Sequence, residues 1–212
     1  MKFSLAALLP LAMALSASAQ ATSAFTDAKT GITFEAFTDA TTGYTFGIAL
    51  PTTPGTDFVG ILIGKAKGWA GISLGGGMTN KLLIAAWPSG TKIVSSFRGT
   101  TAFRSPPEAT GAYTMTPIDA GTYVNATNWS YTFLCKGCVL ADGTTFAASD
   151  ASGTLGWAFS AVAPAAPANH ATTFQKHSAQ GHYTMDLSAA KSAKYATYAA
   201  LAGTTVPTMF KA

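Results

Sequence analysis

The sequence predicts an all-β fold, an antiparallel sandwich or barrel closed by a short C-terminal helix, and three observations carry that expectation. Of the 212 residues, 48% are apolar and only 10% charged, a balance that excludes intrinsic disorder and a Glu/Lys/Arg-rich helical bundle. Twenty-one glycines and ten prolines, with abundant Thr and Ser, supply turns at close intervals. Between those turns, apolar residues recur in short runs of period two.

The first stretch is expected to lie outside the fold. Lys2 gives a charged start, Leu5 to Leu15 an apolar segment, and Ala17-Ser18-Ala19 a small-residue cleavage site, which together read as a signal peptide over residues 1–19. Removing Lys2 from thirteen basic residues leaves twelve against nine acidic, a net charge of +3. Those cations are scattered, so nucleic acid is not an expected partner. No later stretch is long and apolar enough to span a membrane. The mature chain is expected to be secreted, soluble and monomeric.

The strands then follow in order. Ile32–Phe37 and Tyr44–Leu50 alternate on either side of Asp39–Gly43, and Phe58–Ile63 follows the Pro51–Gly55 turn. Trp69–Leu74 and Lys81–Trp87 flank three successive glycines, and Ile93–Phe97 follows Pro88–Gly90. Ala112–Met115, Ser130–Leu134, Leu155–Phe159 and Tyr183–Leu187 complete the set. Ser188–Leu201, rich in Ala and Lys, reads as the helix; Ala161–Ala171, with Pro164 and Pro167, reads as a surface loop. With no internal repeat and no linker, residues 20–212 form one expected domain.

The only cysteines are Cys135 and Cys138. In an oxidising compartment a bridge between them is the expected state. Covalent c-type haem is excluded because Val139, not His, follows. A thioredoxin-like redox role would place the motif at a helix start, whereas here it closes an alternating strand. Asn125-Ala-Thr127 and Asn128-Trp-Ser130 are glycan acceptor sequences. Hydrolase and nucleotide-binding motifs are missing, and nine acidic residues are too dispersed to nominate a glycosidase pair.

Two side chains stand out as candidate ligands. Met78 follows Gly75-Gly76-Gly77 beside polar Thr79 and Asn80, so a tight turn would hold a thioether at a fixed place. His177 lies where a long loop enters a strand, with His182 five residues later inside that strand. Three histidines without a nearby Cys or carboxylate do not make a zinc site.

Taken together, Gly68-Trp-Ala-Gly-Ile-Ser-Leu-Gly-Gly-Gly-Met-Thr-Asn80, Trp129-Ser-Tyr-Thr-Phe-Leu-Cys-Lys-Gly-Cys138, and His177-Ser-Ala-Gln-Gly181 through Leu187 resemble, in order, segments of the cytochrome domain of fungal cellobiose dehydrogenase. The resemblance runs from about Ala21 to Ala202. It implies an immunoglobulin-like β-sandwich of the DOMON kind holding one non-covalent haem b at an open end. It also implies Met78 and His177 as the axial ligands of the iron, with His182 as the alternative to His177. Arg98 and Arg104 are candidates for the haem propionates on charge alone, because Phe103 and Arg104 stand where the family is expected to carry a tyrosine. No flavin domain is found in this sequence, so electrons are expected to come from a separate sugar dehydrogenase, flavin- or quinone-dependent. The acceptor would be a copper lytic polysaccharide monooxygenase or ferric iron, the latter making the chain a ferric reductase. The alternative is a carbohydrate- or surface-binding sandwich without haem.

Overall fold

The computed structural model describes residues 21–65 and 67–204. The expected signal peptide, residues 1–19, lies outside them. Twelve strands and one short helix follow in order: β1 (Ser23–Thr26), β2 (Thr33–Thr38), β3 (Thr45–Ala49), β4 (Phe58–Lys65), β5 (Trp69–Ser73), β6 (Leu83–Ser89), β7 (Lys92–Arg98), β8 (Thr114–Pro117), β9 (Tyr123–Val124), β10 (Asn128–Lys136), β11 (Ser152–Ser160), β12 (Ala179–Asp186) and α1 (Tyr195–Ala199). They form two antiparallel sheets. One has seven strands, in the order β1-β2-β3-β4-β10-β8 with β9 also on β10; the other has five, in the order β12-β11-β5-β6-β7. This is the all-β sandwich that the alternation predicts.

The main core lies between the sheets. From one side it takes Phe46, Ile48, Phe58, Leu62, Trp129, Tyr131 and Phe133; from the other, Ile72, Ile84, Leu155, Trp157, Phe159, Tyr183 and Met185. Every second residue of each strand points inward, as a pleat requires. Each fully buried apolar side chain contributes about 1.5–3 kcal/mol, so this layer dominates stability. Glycine serves the packing at Gly60, where a Cβ would meet the Phe133 ring at 2.7 Å.

A second apolar layer sits outside the seven-stranded sheet. Ile32, Phe34, Val59, Ile61 and Leu134 pack there beneath Tyr195, Tyr198 and Leu201. The expected helix over Ser188–Leu201 is reduced to α1. Its first part is held elsewhere: Leu50 donates to Ala190 O and Ser192 donates to Leu50 O, both within 2.9 Å. Those bonds bridge the end of β3 to the C-terminal segment and consume groups a helix would need. Two short strands, β1 and β9, were not expected from the sequence. Cys135 and Cys138 form a disulfide with Cα atoms 5.7 Å apart, at the end of β10. Among the described residues, no helix is long and apolar enough to cross a membrane.

Candidate functional site

The outer face of the five-stranded sheet differs from the faces just described. Where neighbouring inward positions carry Ile72, Ile84, Leu155 and Trp157, the outward ones at its centre are Gly71, Ala85, Gly156 and Ala158. These small residues floor a cavity of about 310 Å³ whose lining also includes Met78, Arg98, Phe174, His177 and His182. The site is therefore on the face of a sheet. The resemblance implied an open end of the sandwich; this cavity lies along the outer face of the five-stranded sheet.

Met78 is placed by a turn built on close backbone approach. A Cβ on Gly156 would stand 1.8 Å from Gly76 O, so only glycine at 156 lets the β5–β6 turn settle onto β11. Gly76 itself has φ +87°, a conformation glycine adopts without steric cost. Ser73 Oγ donates to Gly77 O at 2.5 Å, and Asn80 N–H donates to Thr100 O at 2.8 Å, fixing both ends of the turn.

His177 arrives from the other direction. Ser73 pairs with Gly156 and Leu83, marking one end of the floor, whereas Phe159, three residues further along β11, marks the other. Ser178 N–H donates to Phe159 O at 2.9 Å, so His177 enters beside that far end, roughly 10 Å along the strands from the Met78 turn. His182 pairs with Gly156 and so shares the Met78 end. The register thus opposes Met78 and His177 across the floor and leaves His182 beside the Met78 turn. Burial, with the Lys176 cation adjacent, holds the His177 imidazole below its ordinary pKa, which keeps a ring nitrogen lone pair available.

The long loop ahead of His177 is strapped down over the sheet. Trp87 Nε1 donates to Pro167 O at 2.7 Å. Phe174 packs against Trp69 and Trp87 with ring centroids 5.0 and 5.1 Å away. Arg98, only 1% exposed, donates from Nη1 to Pro106 O at 3.0 Å and from Nη2 to His170 O. Its guanidinium carbon lies 4.6 Å from the Phe174 centroid. In the same loop, His170 Nδ1 meets Glu108 Oε1 at 2.5 Å.

A profile of the cytochrome domain of cellobiose dehydrogenase matches residues 25–197. The chain belongs to that family. The solved cytochrome domain of Myriococcum thermophilum cellobiose dehydrogenase is similar in fold, with a TM-score of 0.78 and 34% identity over 88% of this chain and 99% of that one. The cytochrome b domain of pyranose dehydrogenase from Coprinopsis cinerea has a TM-score of 0.78 at 26% identity, covering 86% of this chain and 96% of that one. A pyrroloquinoline quinone-dependent pyranose dehydrogenase of Coprinopsis cinerea is 31% identical over 179 residues, 81% of this chain, and the chain spans 24% of that enzyme's length. Membership of this cytochrome-domain family makes the chain an electron-transfer module.

The lining of this cytochrome domain fits a flat tetrapyrrole with acidic side arms. Arg98 and Trp69 line the cavity, and Arg98 Nε and Trp69 Nε1 are buried with no hydrogen-bond partner among the described residues. Buried donors of this kind cost free energy unless something accepts from them. The floor is apolar and lacks side chains that would block a planar ring. Arg104 is placed differently: it is exposed and lines a neighbouring groove with Lys81, Thr100 and Asp142. Asn125 is exposed in the turn before β10, its Oδ1 accepting from Thr127 and Asn128 backbone N–H groups, both at 2.9 Å, while Asn128 is half-buried. All four tryptophans are buried, at most 7% exposed, so they offer no planar exposed row for a polysaccharide. The Glu108–His170 pair had no signal in the sequence.

Proposed function

We propose that this chain holds one haem b non-covalently in the cavity on the five-stranded sheet, with Met78 and His177 as the axial ligands, and passes single electrons between proteins outside the cell. Bound there, the haem would supply a one-electron carrier cycling between ferric and ferrous iron. Met78 offers a soft, neutral sulfur and His177 a neutral imidazole nitrogen, a pair that raises the reduction potential relative to harder, more basic ligands. The register on the floor is the observation that carries this reading, because it brings a thioether and an imidazole from opposite ends to one small-residue surface. Arg98 stands ready to receive a carboxylate, and Phe174 with its two tryptophans keeps water from the far end. Cys135 and Cys138 are bonded to each other, so neither can attach the macrocycle through sulfur.

The donor in this reading is a sugar dehydrogenase and the acceptor a copper polysaccharide monooxygenase or a ferric complex. Secretion through residues 1–19 and a glycan on Asn125, the more exposed acceptor, belong to the same proposal. The test is spectroscopic. Purified protein supplied with haem is expected to show a sharp low-spin ferrous b-type spectrum on reduction, and acid acetone is expected to extract all of the pigment. A colourless protein that refuses haem would sink this reading.

A further inference from the structure

We propose that Phe103 is the anchor by which a redox partner protein docks on the cavity mouth, an inference that rests on the electron-transfer reading above. Phe103 is 86% exposed, and the only other large exposed apolar side chain among the described residues is Val162, at 49%. Scattered exposed apolar residues need no explanation, but this one borders the cavity and does not stand on a frayed segment. Thr100 Oγ1 donates to Ala102 O at 2.7 Å and accepts from Ala102 N–H at 3.1 Å. Arg104 N–H closes on Ala102 O at 3.0 Å. Further on, Ser105 Oγ accepts from Phe174 N–H at 2.9 Å. The ring is therefore presented on a loop pinned on both sides, and a preorganised aromatic gives contact area with little ordering cost on association.

The charges around it select the partner. Arg104 and Lys176 are exposed and adjoin in sequence the lining residues Phe103 and His177; no Asp or Glu lines the cavity, and Asp142 lies with Arg104 in the neighbouring groove. Glu108, the nearest carboxylate in that loop, is engaged by His170. The fitting occupant is a dehydrogenase surface with an apolar socket ringed by carboxylates, in an encounter of the small area typical of redox pairs. The cations steer approach, and the ring, seated in its socket, fixes orientation.

The experiment uses haem-loaded protein and the catalytic portion of a pyrroloquinoline quinone-dependent pyranose dehydrogenase with its sugar as reductant, read by stopped flow. Phe103→Ala is expected to slow reduction by the dehydrogenase at least tenfold, while reduction by ascorbate, the spectrum and haem retention stay within twofold of the wild type. Phe103→Trp is expected to keep the wild-type rate, and Arg104→Glu to lower it and reverse its dependence on salt. An unchanged rate in Phe103→Ala would overturn the proposal. Loss of haem in that variant would overturn it as well, by making Phe103 a wall of the cavity. A wild type that takes up no haem refutes the electron-transfer reading. Docking is then judged separately from cross-linking to the dehydrogenase, which Phe103→Ala must lower at least tenfold for the anchor to stand.

Discussion

The two sheets of this sandwich treat their outer faces in opposite ways. The seven-stranded sheet covers its own: Val59, Ile61 and Phe34 are sealed by Tyr198 and Leu201 from the C-terminal segment. The five-stranded sheet carries Gly71, Ala85, Gly156 and Ala158 outward and is roofed only at one end, by Phe174 over Trp69 and Trp87. An outer face with large apolar residues is a structural surface. One stripped to Gly and Ala, with a Met and a His brought in over it, is shaped for something flat.

That contrast predicts that mutations on the two faces separate cleanly. The largest effect is expected from His177→Ala, which should shed most of the haem at concentrations where the wild type holds it, while His182→Ala retains it; titration of the two variants with haem checks this. The reverse outcome would move the ligand to the Met78 end of the floor. Gly156→Ala comes next. Its Cβ would collide with Gly76 O at 1.8 Å, so the Met78 turn must lift. The variant is expected to lose the Met-ligated spectrum and roughly 1–3 kcal/mol of stability, measured by denaturant unfolding. On the covered face, Tyr198→Ala is expected to cost about 2–3 kcal/mol through the cavity it leaves, with no change in haem spectrum.

The smallest effect concerns pH. The hydrogen bond from His170 holds the Glu108 carboxyl below its ordinary value, helped by Ser96 and Arg98. A depressed carboxylate stabilises the fold above the unfolded-state pKa and loses that contribution as pH falls through the lowered folded-state value. Glu108 and His170 side chains are 34% and 70% exposed, so solvent screening keeps the contribution below about 1 kcal/mol. Comparing Glu108→Gln with the wild type from neutral pH down through the carboxylate range should show curves that converge on acidification. A difference between the curves that does not change with pH would mean the strap over the His177 loop is held by other contacts.

The same contrast explains what could be read in the sequence. Alternation revealed ten of the strands, because a pleated strand buried on one face writes a period of two into the chain. It did not say which sheet each strand joins, since pairs such as β4–β10 and β5–β11 are non-local. Nor does alternation say that Trp69 and Trp87 are buried on the outer face of a sheet, in a cluster separate from the main core. Met78 was legible through three glycines whose purpose is a turn. Arg98 and Arg104 were indistinguishable by charge, and only the fold buries one and exposes the other. The helix was overestimated because composition cannot register that Leu50 takes the hydrogen bonds of residues 190 and 192.

The position of the cavity outside the main core also sets an order of events. Trp129, Phe133, Ile72 and Leu155 are buried together between the sheets, so folding and loading are expected to be two separate steps. The polypeptide is expected to regain its near-ultraviolet circular dichroism on refolding without pigment. Haem added afterwards should then bind in a single phase whose rate rises linearly with its concentration. Folding and loading need not coincide: a chain built this way is expected to fold colourless and be charged later.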